Sequence, residues 1–547
     1  MEIPGKIKRE ATGSTRTASS HFCYWLLLLV IVFFFLLRFH LRTVPLERDE
    51  GEYAYAGQLI LQGIPPYQLA YNMKLPGTYA SYALILALFG QTPSGIHLGL
   101  ALVNAATTVL IFWLGRRLFG LLGGFVAGAS YALLSISPSV LGFAGHATHF
   151  VVLPAVAGTL LLLEAVESDR RRLLFWGGLL FGLAFVMKQP GVLFLLFGGS
   201  YLLVTKLKRP VNWRELSWDA NIFALGGLLP FAVTCLVMLK TGLFHRFWFW
   251  TFSYAKQYAS EASINNGVDN FLRMLPKVVD SAALIWALAA IGLIILLWDK
   301  RARAHALFVC SFLLFSFLAV CPDLYFREHY FILLLPAVSL LVGLAVSSAT
   351  DSLVLRRSGI LKAMPIFLFF GAFGFSLFQQ RQVLFELDPF AVGQSIYGGG
   401  NPFPEALRIA DYVRSHTSKD ARIAVIGSEP EIYFYSERHS ATGYIYMYPL
   451  AELHKYTRQM QREMIQEVQE ARPEILIFVQ VSGSWLMARD SDKSVLEWMQ
   501  QYVREHYGMV GVADMALPTM YHWSEEPHNF HPTSPSAIYI FKRTGSP

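Results

Sequence analysis

The sequence predicts a polytopic α-helical membrane protein of about eleven transmembrane helices, followed by a C-terminal soluble α/β domain. The first observation is composition: of 547 residues, 54% are hydrophobic and only 15% are charged. The second is that apolar stretches long enough to cross a bilayer recur along most of the chain. The third is a change near Gln379 to polar, helix- and strand-forming sequence. Together these observations exclude a purely soluble enzyme.

The first apolar stretch is Tyr24–Leu41, which follows an N-terminus containing Lys6, Lys8, Arg9 and Arg16. A signal peptide has a similar basic start, but its apolar region is shorter and ends at small residues that allow cleavage. This stretch is long and lacks such a site. We therefore expect an uncleaved signal anchor.

Ten further apolar spans follow, and basic residues in the loops between spans predict their orientation. The spans are Ile96–Leu114, Leu121–Ile136, Phe150–Glu164, Leu173–Met187, Pro190–Val204, Ile222–Leu239, Ser281–Trp298, Ala304–Val320, Tyr330–Val346 and Ala363–Leu377. The basic residues are Arg116, Arg117, Arg170–Arg172, Lys206–Arg209, Lys300–Arg303, Arg356 and Arg357. They fall in alternate loops, which the positive-inside rule assigns to the cytoplasm with the N-terminus. The first loop and the C-terminal domain should then lie on the outer side.

We divide the chain into a membrane module, residues 1–378, with an outer loop at about 42–95, and an α/β domain at 379–547. Hydrophobic periodicity predicts helices at Glu405–His416, Ala451–Arg472 and Lys493–His506, and strands at Arg422–Gly427, Glu474–Gln480 and Ala537–Lys542. No glycine-rich phosphate-binding fingerprint follows a strand there. The net charge of +7 belongs to membrane-flanking loops and does not indicate nucleic acid.

The first outer loop holds the residues that best indicate chemistry. Arg48-Asp49-Glu50-Gly51-Glu52-Tyr53 places three carboxylates just beyond the first span, before a predicted amphipathic helix at Tyr53–Gln62. Gly63-Ile64-Pro65-Pro66-Tyr67 then forces a turn. Lys74-Leu75-Pro76-Gly77 opens a second helix, Thr78–Phe89. We expect Lys74 near the carboxylates, where it can meet an anionic lipid headgroup while Asp49 or Glu50 acts as a base.

This order of motifs resembles the first outer loop of the GT-C superfamily of membrane glycosyltransferases, in the bacterial branch similar to protein O-mannosyltransferases and aminoarabinose transferases. Other segments also resemble that branch: Met187-Lys188-Gln189-Pro190, Phe247–Tyr254, His329-Tyr330-Phe331, Asn401-Pro402-Phe403 and Ile426-Gly427-Ser428-Glu429-Pro430. The resemblance implies a GT-C fold in a bacterial inner (plasma) membrane. It also implies transfer of a hexosyl or pentosyl group from a polyprenyl-phosphate donor to an acceptor hydroxyl, with inversion and with Asp49 as base.

The leaving lipid phosphate needs a cation, and Lys74 and Lys188 are the candidates. Leu75-Pro76 stands where the family often has two prolines, which weakens the assignment of Lys74. Either lysine could instead be a snorkelling or loop residue. His329 and Tyr330 are further candidates for contact with the donor phosphate. Tyr53, Tyr67, Arg327 and Tyr254 are candidates for the substrate pocket, although aromatic residues at an interface also serve as anchors.

We expect no required cofactor. His146 and His149 share a helix face at i and i+3 without a nearby acidic ligand, which is a weak zinc signal, so a divalent metal is possible but not indicated. The four cysteines form no metal or disulfide pattern.

Two other function classes stay open. A transporter or flippase of a lipid-linked glycan should show repeated halves and broken helices near the midplane, and the sequence shows no such repeat. A receptor or scaffold leaves the loop-one motif unexplained. Within the enzyme class, the acceptor can be a glycan, a lipid or a protein.

Overall fold

The computed structural model describes residues 11–208, 212–356, 361–516, 518–523 and 532–545. Lys6, Lys8, Arg9, Arg209 and Arg357, which contribute to the predicted orientation, lie outside these ranges. The chain forms two compact units. The first consists of Met1–His40, Leu100–Val233 and Ala262–Glu386, and the second of Leu41–Gly99, Thr234–Glu261 and Leu387–Pro547. The domain boundary predicted at residue 379 stays a prediction.

Helices dominate the part of the chain before Gln379. In chain order they are α1 (Ala11–His40), α2 (Arg48–Leu61), α3 (Gly77–Phe89), α4 (Pro93–Leu134), α5 (Ala147–Ser168), α6 (Arg171–Met187), α7 (Val192–Leu207), α8 (Trp213–Lys240), α9 (Phe244–Trp248), α10 (Ala255–Ala259), α11 (Ile264–Asp280), α12 (Ala283–Ile295), α13 (Lys300–Arg303), α14 (Ala306–Leu318), α15 (Leu335–Arg356) and α16 (Met364–Gln379). Short 3₁₀-helices occupy Leu41–Thr43, Pro138–Val140, Gln189–Gly191, Glu328–Leu333 and Leu361–Ala363, and Phe249–Tyr254 is a π-helix.

Each of the eleven predicted spans falls on one of these helices. Seven helices in the described ranges are long and apolar enough to cross a membrane, or eight if the bent pair α11 and α12 is one broken span. The two members of that pair meet at 108°. The apolar helices α3 and α14 are shorter. The predicted polytopic α-helical membrane fold is confirmed.

Two predicted spans lie on the single element α4, which has 42 residues. At 1.5 Å per residue it would be about 63 Å long, roughly twice the thickness of a hydrocarbon core. The backbone breaks at Gly120, where φ is 79° and ψ is −177°. The two halves pack closely, because a Cβ added at Gly124 would lie 2.6 Å from the Phe112 carbonyl oxygen. The prediction of two separate helical segments agrees with this break.

The C-terminal part of the second unit is an α/β layer, as predicted. Its helices are α17 (Pro389–Tyr397), α18 (Phe403–His416), α19 (Glu431–Ser436), α20 (Tyr448–Ala451), α21 (Thr457–Ala471), α22 (Ser482–Trp485) and α23 (Ser494–His506). Its strands are β1 (Arg422–Ile426), β2 (His439–Ser440), β3 (Ile475–Gln480), β4 (Tyr507–Asp514), β5 (Met520–Trp523) and β6 (Ala537–Arg543). They form one sheet in the order β2-β1-β3-β6-β4-β5.

Strand β1 pairs in parallel with β2 and β3, and the β3–β6, β6–β4 and β4–β5 pairs are antiparallel. The predicted strands match β1, β3 and β6. Strand β4 was missed because glycines interrupt its apolar pattern and the register shifts between Met509 and Gly511. The helix predicted at Ala451–Arg472 is wrong in its start, since α20 ends at Ala451 and α21 begins at Thr457.

Candidate functional site

Helix α2 begins at Arg48, five residues before the predicted start at Tyr53, because Glu47 caps it. The Glu47 side chain accepts a hydrogen bond from the Glu50 amide at 3.0 Å. Asp49 and Glu50 occupy the first turn, where the helix dipole favours negative charge. The early start brings all three loop-one carboxylates onto one regular helix.

The helix places Asp49 and Glu52 three residues apart on one face, and Lys74 joins them. The Lys74 Nζ lies 2.6 Å from Asp49 Oδ1 and 2.7 Å from Glu52 Oε2. We call Asp49, Glu52 and Lys74 the carboxylate–lysine cluster. The expected proximity of Lys74 to the loop-one carboxylates is therefore observed.

Glu52 is the buried member of the cluster, with a fully inaccessible side chain. It accepts hydrogen bonds from the Tyr79 hydroxyl and, at 2.9 Å, from Asn72 Nδ2. Burial raises the pKa of Glu52 despite the opposing effect of Lys74. Burial lowers the pKa of Lys74, but the two carboxylates outweigh that effect and raise it above its ordinary value. Lys74 thus stays charged while its partners remain in place.

Asp49 is the accessible carboxylate of the cluster, with 23% of its side chain exposed. Its Oδ1 also accepts a hydrogen bond from the Tyr446 hydroxyl at 3.3 Å. Two donors therefore fix one oxygen of a carboxylate that solvent or a substrate can reach. This arrangement suits a group that must accept a proton in a defined direction.

Glu50 points to a different environment from Asp49. Its side chain is 1% exposed, and Glu50 Oε1 lies 3.0 Å from His97 Nε2. His97 Nδ1 lies 2.8 Å from the Arg42 carbonyl oxygen, which only accepts, so Nδ1 carries a proton. The contact at Nε2 then requires a second proton shared between His97 and Glu50. The structure thus separates the two candidate bases, one accessible and one buried against a histidine.

Two of the predicted pocket tyrosines support Lys74. The Tyr53 ring is buried, and Lys74 Nζ lies 4.6 Å from its centroid. Tyr67 is buried with a φ of 66°, which is strained for a tyrosine, and its hydroxyl donates to the Lys74 carbonyl oxygen at 2.7 Å. Tyr67 thereby holds the backbone that carries the lysine.

Tyr254 has different neighbours in the same unit. It ends the π-helix, and its hydroxyl donates to Glu452 Oε2 at 2.5 Å. Its ring contacts those of Trp250 and His454, with centroids 5.1 and 5.3 Å away. None of these contacts belongs to the carboxylate–lysine cluster.

The remaining predicted residues lie in the first unit. Lys188 separates α6 from the Gln189–Gly191 turn, and its Nζ lies 4.1 Å from the Tyr330 ring centroid. The Tyr330 hydroxyl donates to Asp323 Oδ2 at 3.0 Å. Burial raises the pKa of Asp323, while Lys188 and Arg327 oppose the shift. Arg327 itself lies 5.7 Å from the Tyr325 ring centroid. Lys188, Tyr330 and Asp323 form what we call the lysine–tyrosine cluster.

The turn that carries Asp323 is strained. Asp323, Leu324 and Phe326 all have positive φ, at 66°, 58° and 49°. Helix α11 holds this turn, because Asn270 Nδ2 donates to the Leu324 carbonyl oxygen at 3.1 Å. Gly267 also leaves room for Leu324, whose Cβ would lie 2.9 Å from a Cβ at that glycine.

His329 is buried and stacks on His146, with ring centroids 4.0 Å apart and planes inclined by 8°. His149 lies in the first turn of α5 and is also buried. The histidine neighbour of His146 in the stack is thus His329, which a sequence spacing cannot reveal. The expectations of no required metal and of a possible divalent ion stay predictions.

Sequence reasoning missed Glu52 as a site residue. Its spacing of three residues from Asp49 indicates a shared helix face only if the helix begins at Arg48. It also missed Tyr446 and His97. Tyr446 is separated from Asp49 by almost 400 positions, and no local sequence pattern predicts such a contact.

Gly51 lies where α2 approaches the backbone of α19. A Cβ added at Gly51 would lie 2.6 Å from the Glu431 amide nitrogen and 2.7 Å from its Cβ. We expect Gly51→Ala to lower the free energy of unfolding by about 1–3 kcal/mol through overpacking. Gly371→Ala, where the new Cβ meets nothing within 4 Å, is the control. Equal thermal unfolding temperatures for both variants would contradict the observed packing.

Comparisons with known proteins identify the fold of this chain. Residues 74–237 match the family model described as dolichyl-phosphate-mannose-protein mannosyltransferase. The chain is 26% identical over 363 residues to the undecaprenyl phosphate-α-4-amino-4-deoxy-L-arabinose arabinosyl transferase of Pseudomonas aeruginosa, covering 62% of this chain and 63% of that relative. The chain superimposes with a TM-score of 0.59 on ArnT from Cupriavidus metallidurans bound to undecaprenyl phosphate, covering 95% of this chain and 97% of that chain at 14% identity. It has a GT-C fold and is related to the aminoarabinose transferases.

A second solved structure has the same fold. The oligosaccharyltransferase of Archaeoglobus fulgidus in its apo form gives a TM-score of 0.50 at 12% identity, covering 93% of this chain and 75% of that chain. The aligned region spans 63% of the length of the Pseudomonas relative, so the likeness to curated proteins is partial. The sequence match to the mannosyltransferase model begins at Lys74.

Proposed function

We propose that this protein is a membrane glycosyltransferase that transfers a sugar from a polyprenyl-phosphate donor to an acceptor hydroxyl, with Asp49 as general base. The observation that carries the proposal is the carboxylate–lysine cluster, in which an accessible carboxylate and a cation are held within hydrogen-bond distance. The relatedness to arabinosyl transferases supports the same class of reaction.

The reaction is a single displacement at the anomeric carbon. The acceptor oxygen forms the new bond as the bond from the anomeric carbon to the phosphate oxygen breaks, and the phosphate leaves with the electron pair. Asp49 takes the proton of the acceptor hydroxyl. A retaining enzyme needs a second carboxylate as nucleophile, and Glu52 lies close to Asp49. The Glu52 side chain is fully inaccessible and faces Lys74 and Tyr79, so it does not attack the anomeric carbon and the product is inverted.

Lys74 serves the leaving phosphate in this scheme. Its Nζ has three donors, two of which face Asp49 and Glu52. The buried Glu52 keeps the ammonium charged and in place, and the charge can stabilise the negative charge that develops on the phosphate. Asp49 is preferred to Glu50 as base because Glu50 is buried against His97.

We further propose the location that the loop charges predict. The protein would be a multi-pass component of a bacterial inner (plasma) membrane, with a cytoplasmic N-terminus and with the first loop and C-terminal domain on the periplasmic or extracellular side. The acceptor would be a glycan, a lipid or a protein on that side. No cofactor or metal has a role in the proposed steps, and no nucleic acid takes part.

The test is reconstitution of the purified protein in liposomes with a panel of radiolabelled polyprenyl-phosphate sugars and mixed acceptors. We expect release of free polyprenyl phosphate from at least one donor. If the lipid-linked sugar instead crosses the bilayer without release, the protein is a flippase and the proposal is wrong.

The lysine–tyrosine cluster supplies a separate prediction. If Lys188 contacts the donor, as the sequence predicts, Lys188→Met loses a charged hydrogen bond worth about 1.5–3 kcal/mol and raises the donor KM roughly tenfold or more. Lys240→Met, at an exposed helix end, is the control. A donor KM equal to that of the control would remove Lys188 from the donor site.

A further inference from the structure

Helix α2 is anchored to the C-terminal segment, residues 387–547, by the residue that precedes Asp49. All three donor nitrogens of Arg48 face that segment. Nε donates to the Ser428 carbonyl oxygen at 2.9 Å, one terminal nitrogen donates to Asn401 Oδ1 at 2.7 Å, and the other to Glu429 Oε1 at 2.8 Å. The Phe403 ring lies 5.0 Å from the guanidinium carbon. A planar guanidinium held at three points has little freedom to rotate.

The groups that receive Arg48 are themselves fixed. Glu429 is fully buried, and its second oxygen accepts from Ser484 Oγ at 2.7 Å. Ser484 Oγ also accepts from the Ser428 amide at 2.7 Å, and Ser428 Oγ donates to the Ser484 carbonyl oxygen at 2.6 Å. We call Ser428, Glu429 and Ser484 the arginine clamp.

The arginine clamp is also connected to the carboxylate of Asp49 through Tyr446. Ser428 Oγ accepts from the Met447 amide at 2.9 Å. The preceding residue, Tyr446, donates through its hydroxyl to Asp49 Oδ1 at 3.3 Å. The clamp therefore fixes both the helix that carries Asp49 and the tyrosine that orients its carboxylate.

We infer that the C-terminal segment positions Asp49 for catalysis, with Arg48 and Glu429 as positioning residues. The inference rests on the proposed function and adds to it a role for this segment. The segment then contributes to catalysis, because the arginine clamp makes the geometry of Asp49 depend on it. Small displacements of a catalytic group, of about 1 Å, are enough to cost roughly 10²-fold in rate.

Glu431 provides a matched control two residues from Glu429. It is also fully buried, but neither of its carboxylate oxygens contacts a hydrogen-bond partner in the described residues. Burial, with Glu429 nearby, raises its pKa well above the ordinary value, which favours the neutral form. Within the described residues Arg48 forms its ion pair with Glu429 and not with Glu431, so Glu429→Gln removes a direct contact of Arg48 that Glu431→Gln leaves in place.

The experiment compares Glu429→Gln and Glu431→Gln in the full chain, using two readouts. Hydrogen exchange of the α2 amides reports docking without any need for activity, and kcat and donor KM report catalysis. We expect Glu429→Gln to increase exchange in α2 and to lower kcat roughly 10²-fold, with donor KM changed only a few-fold. Glu431→Gln should match wild type in all three.

Several outcomes would overturn the inference. They are an unchanged kcat in Glu429→Gln, an equal decrease in kcat in both variants, or a change in donor KM without a decrease in kcat. If Glu429→Gln does not fold, the double variant Arg48→Met with Glu429→Gln leaves no unpaired buried charge. It should fold with the same low kcat, and normal turnover in it would overturn the inference. If wild type shows no transfer at all, the proposed function fails, while the exchange data still decide whether the clamp holds α2.

Discussion

Asp49→Asn is expected to lower kcat by roughly 10²–10⁴, the range that general acid–base catalysis contributes. The amide keeps the size and can still accept from Lys74 and Tyr446, so folding and donor binding should persist. What the variant loses is the capacity to take a proton from the acceptor hydroxyl. The measurement is initial-rate kinetics of polyprenyl-phosphate release in liposomes, with thermal unfolding recorded on the same preparations.

Glu50→Gln is the control for this substitution, because it makes the same chemical change one residue along the helix. Glu50 is buried against His97, so the change should affect stability and leave kcat near that of wild type. Equal turnover in Asp49→Asn and wild type would show that Asp49 is not the general base. A loss of turnover confined to Glu50→Gln would move the catalytic role to that residue.

The second large effect is expected for Lys74→Met, which leaves Asp49 and Glu52 facing each other without their cation. Removing one partner from a buried ion pair costs about 3–5 kcal/mol, because the remaining charge stays desolvated. Glu52 is fully buried, so we expect a drop of that order in the free energy of unfolding, together with a raised donor KM. Urea unfolding and donor titration measure the two effects.

A double variant separates the structural part of this loss from the chemical part. Lys74→Met with Glu52→Gln removes the buried charge together with its partner, so most of the stability should return. Donor KM should stay raised, because the cation for the phosphate is still missing. Recovery of both properties would show that Lys74 serves the fold alone.

Much of the membrane part could be predicted from sequence because the governing signal is local. A run of apolar residues is sufficient to define a span, and all eleven predicted spans fall on helices. The break at Gly120 within α4 agrees with the two separate apolar spans that the sequence predicts on either side of Arg116 and Arg117. Strand β4 was not predicted because its glycines weaken the local apolar pattern, and its pairing with β5 and β6 is what makes it a strand.

The candidate site was partly predictable for the same reason. The loop-one motif predicted that Lys74 lies near Asp49, and in the structure Lys74 Nζ is 2.6 Å from Asp49 Oδ1. The partners of Asp49 and Arg48 from residues 387–547 were not predictable, since Tyr446 and Glu429 lie hundreds of positions away. Their identity depends on how the chain packs, which no window of sequence contains. The role of Glu52 required knowing that α2 begins at Arg48.

The central claim is a single displacement in which Asp49 deprotonates the acceptor. The most direct measurement is the anomeric configuration of the product, determined by NMR from a polyprenyl-phosphate sugar of known configuration. The account predicts inversion in wild type and formation of product by Asp49→Asn at a rate roughly 10²–10⁴-fold lower. Retention of configuration, or product formed at the wild-type rate by Asp49→Asn, would contradict it.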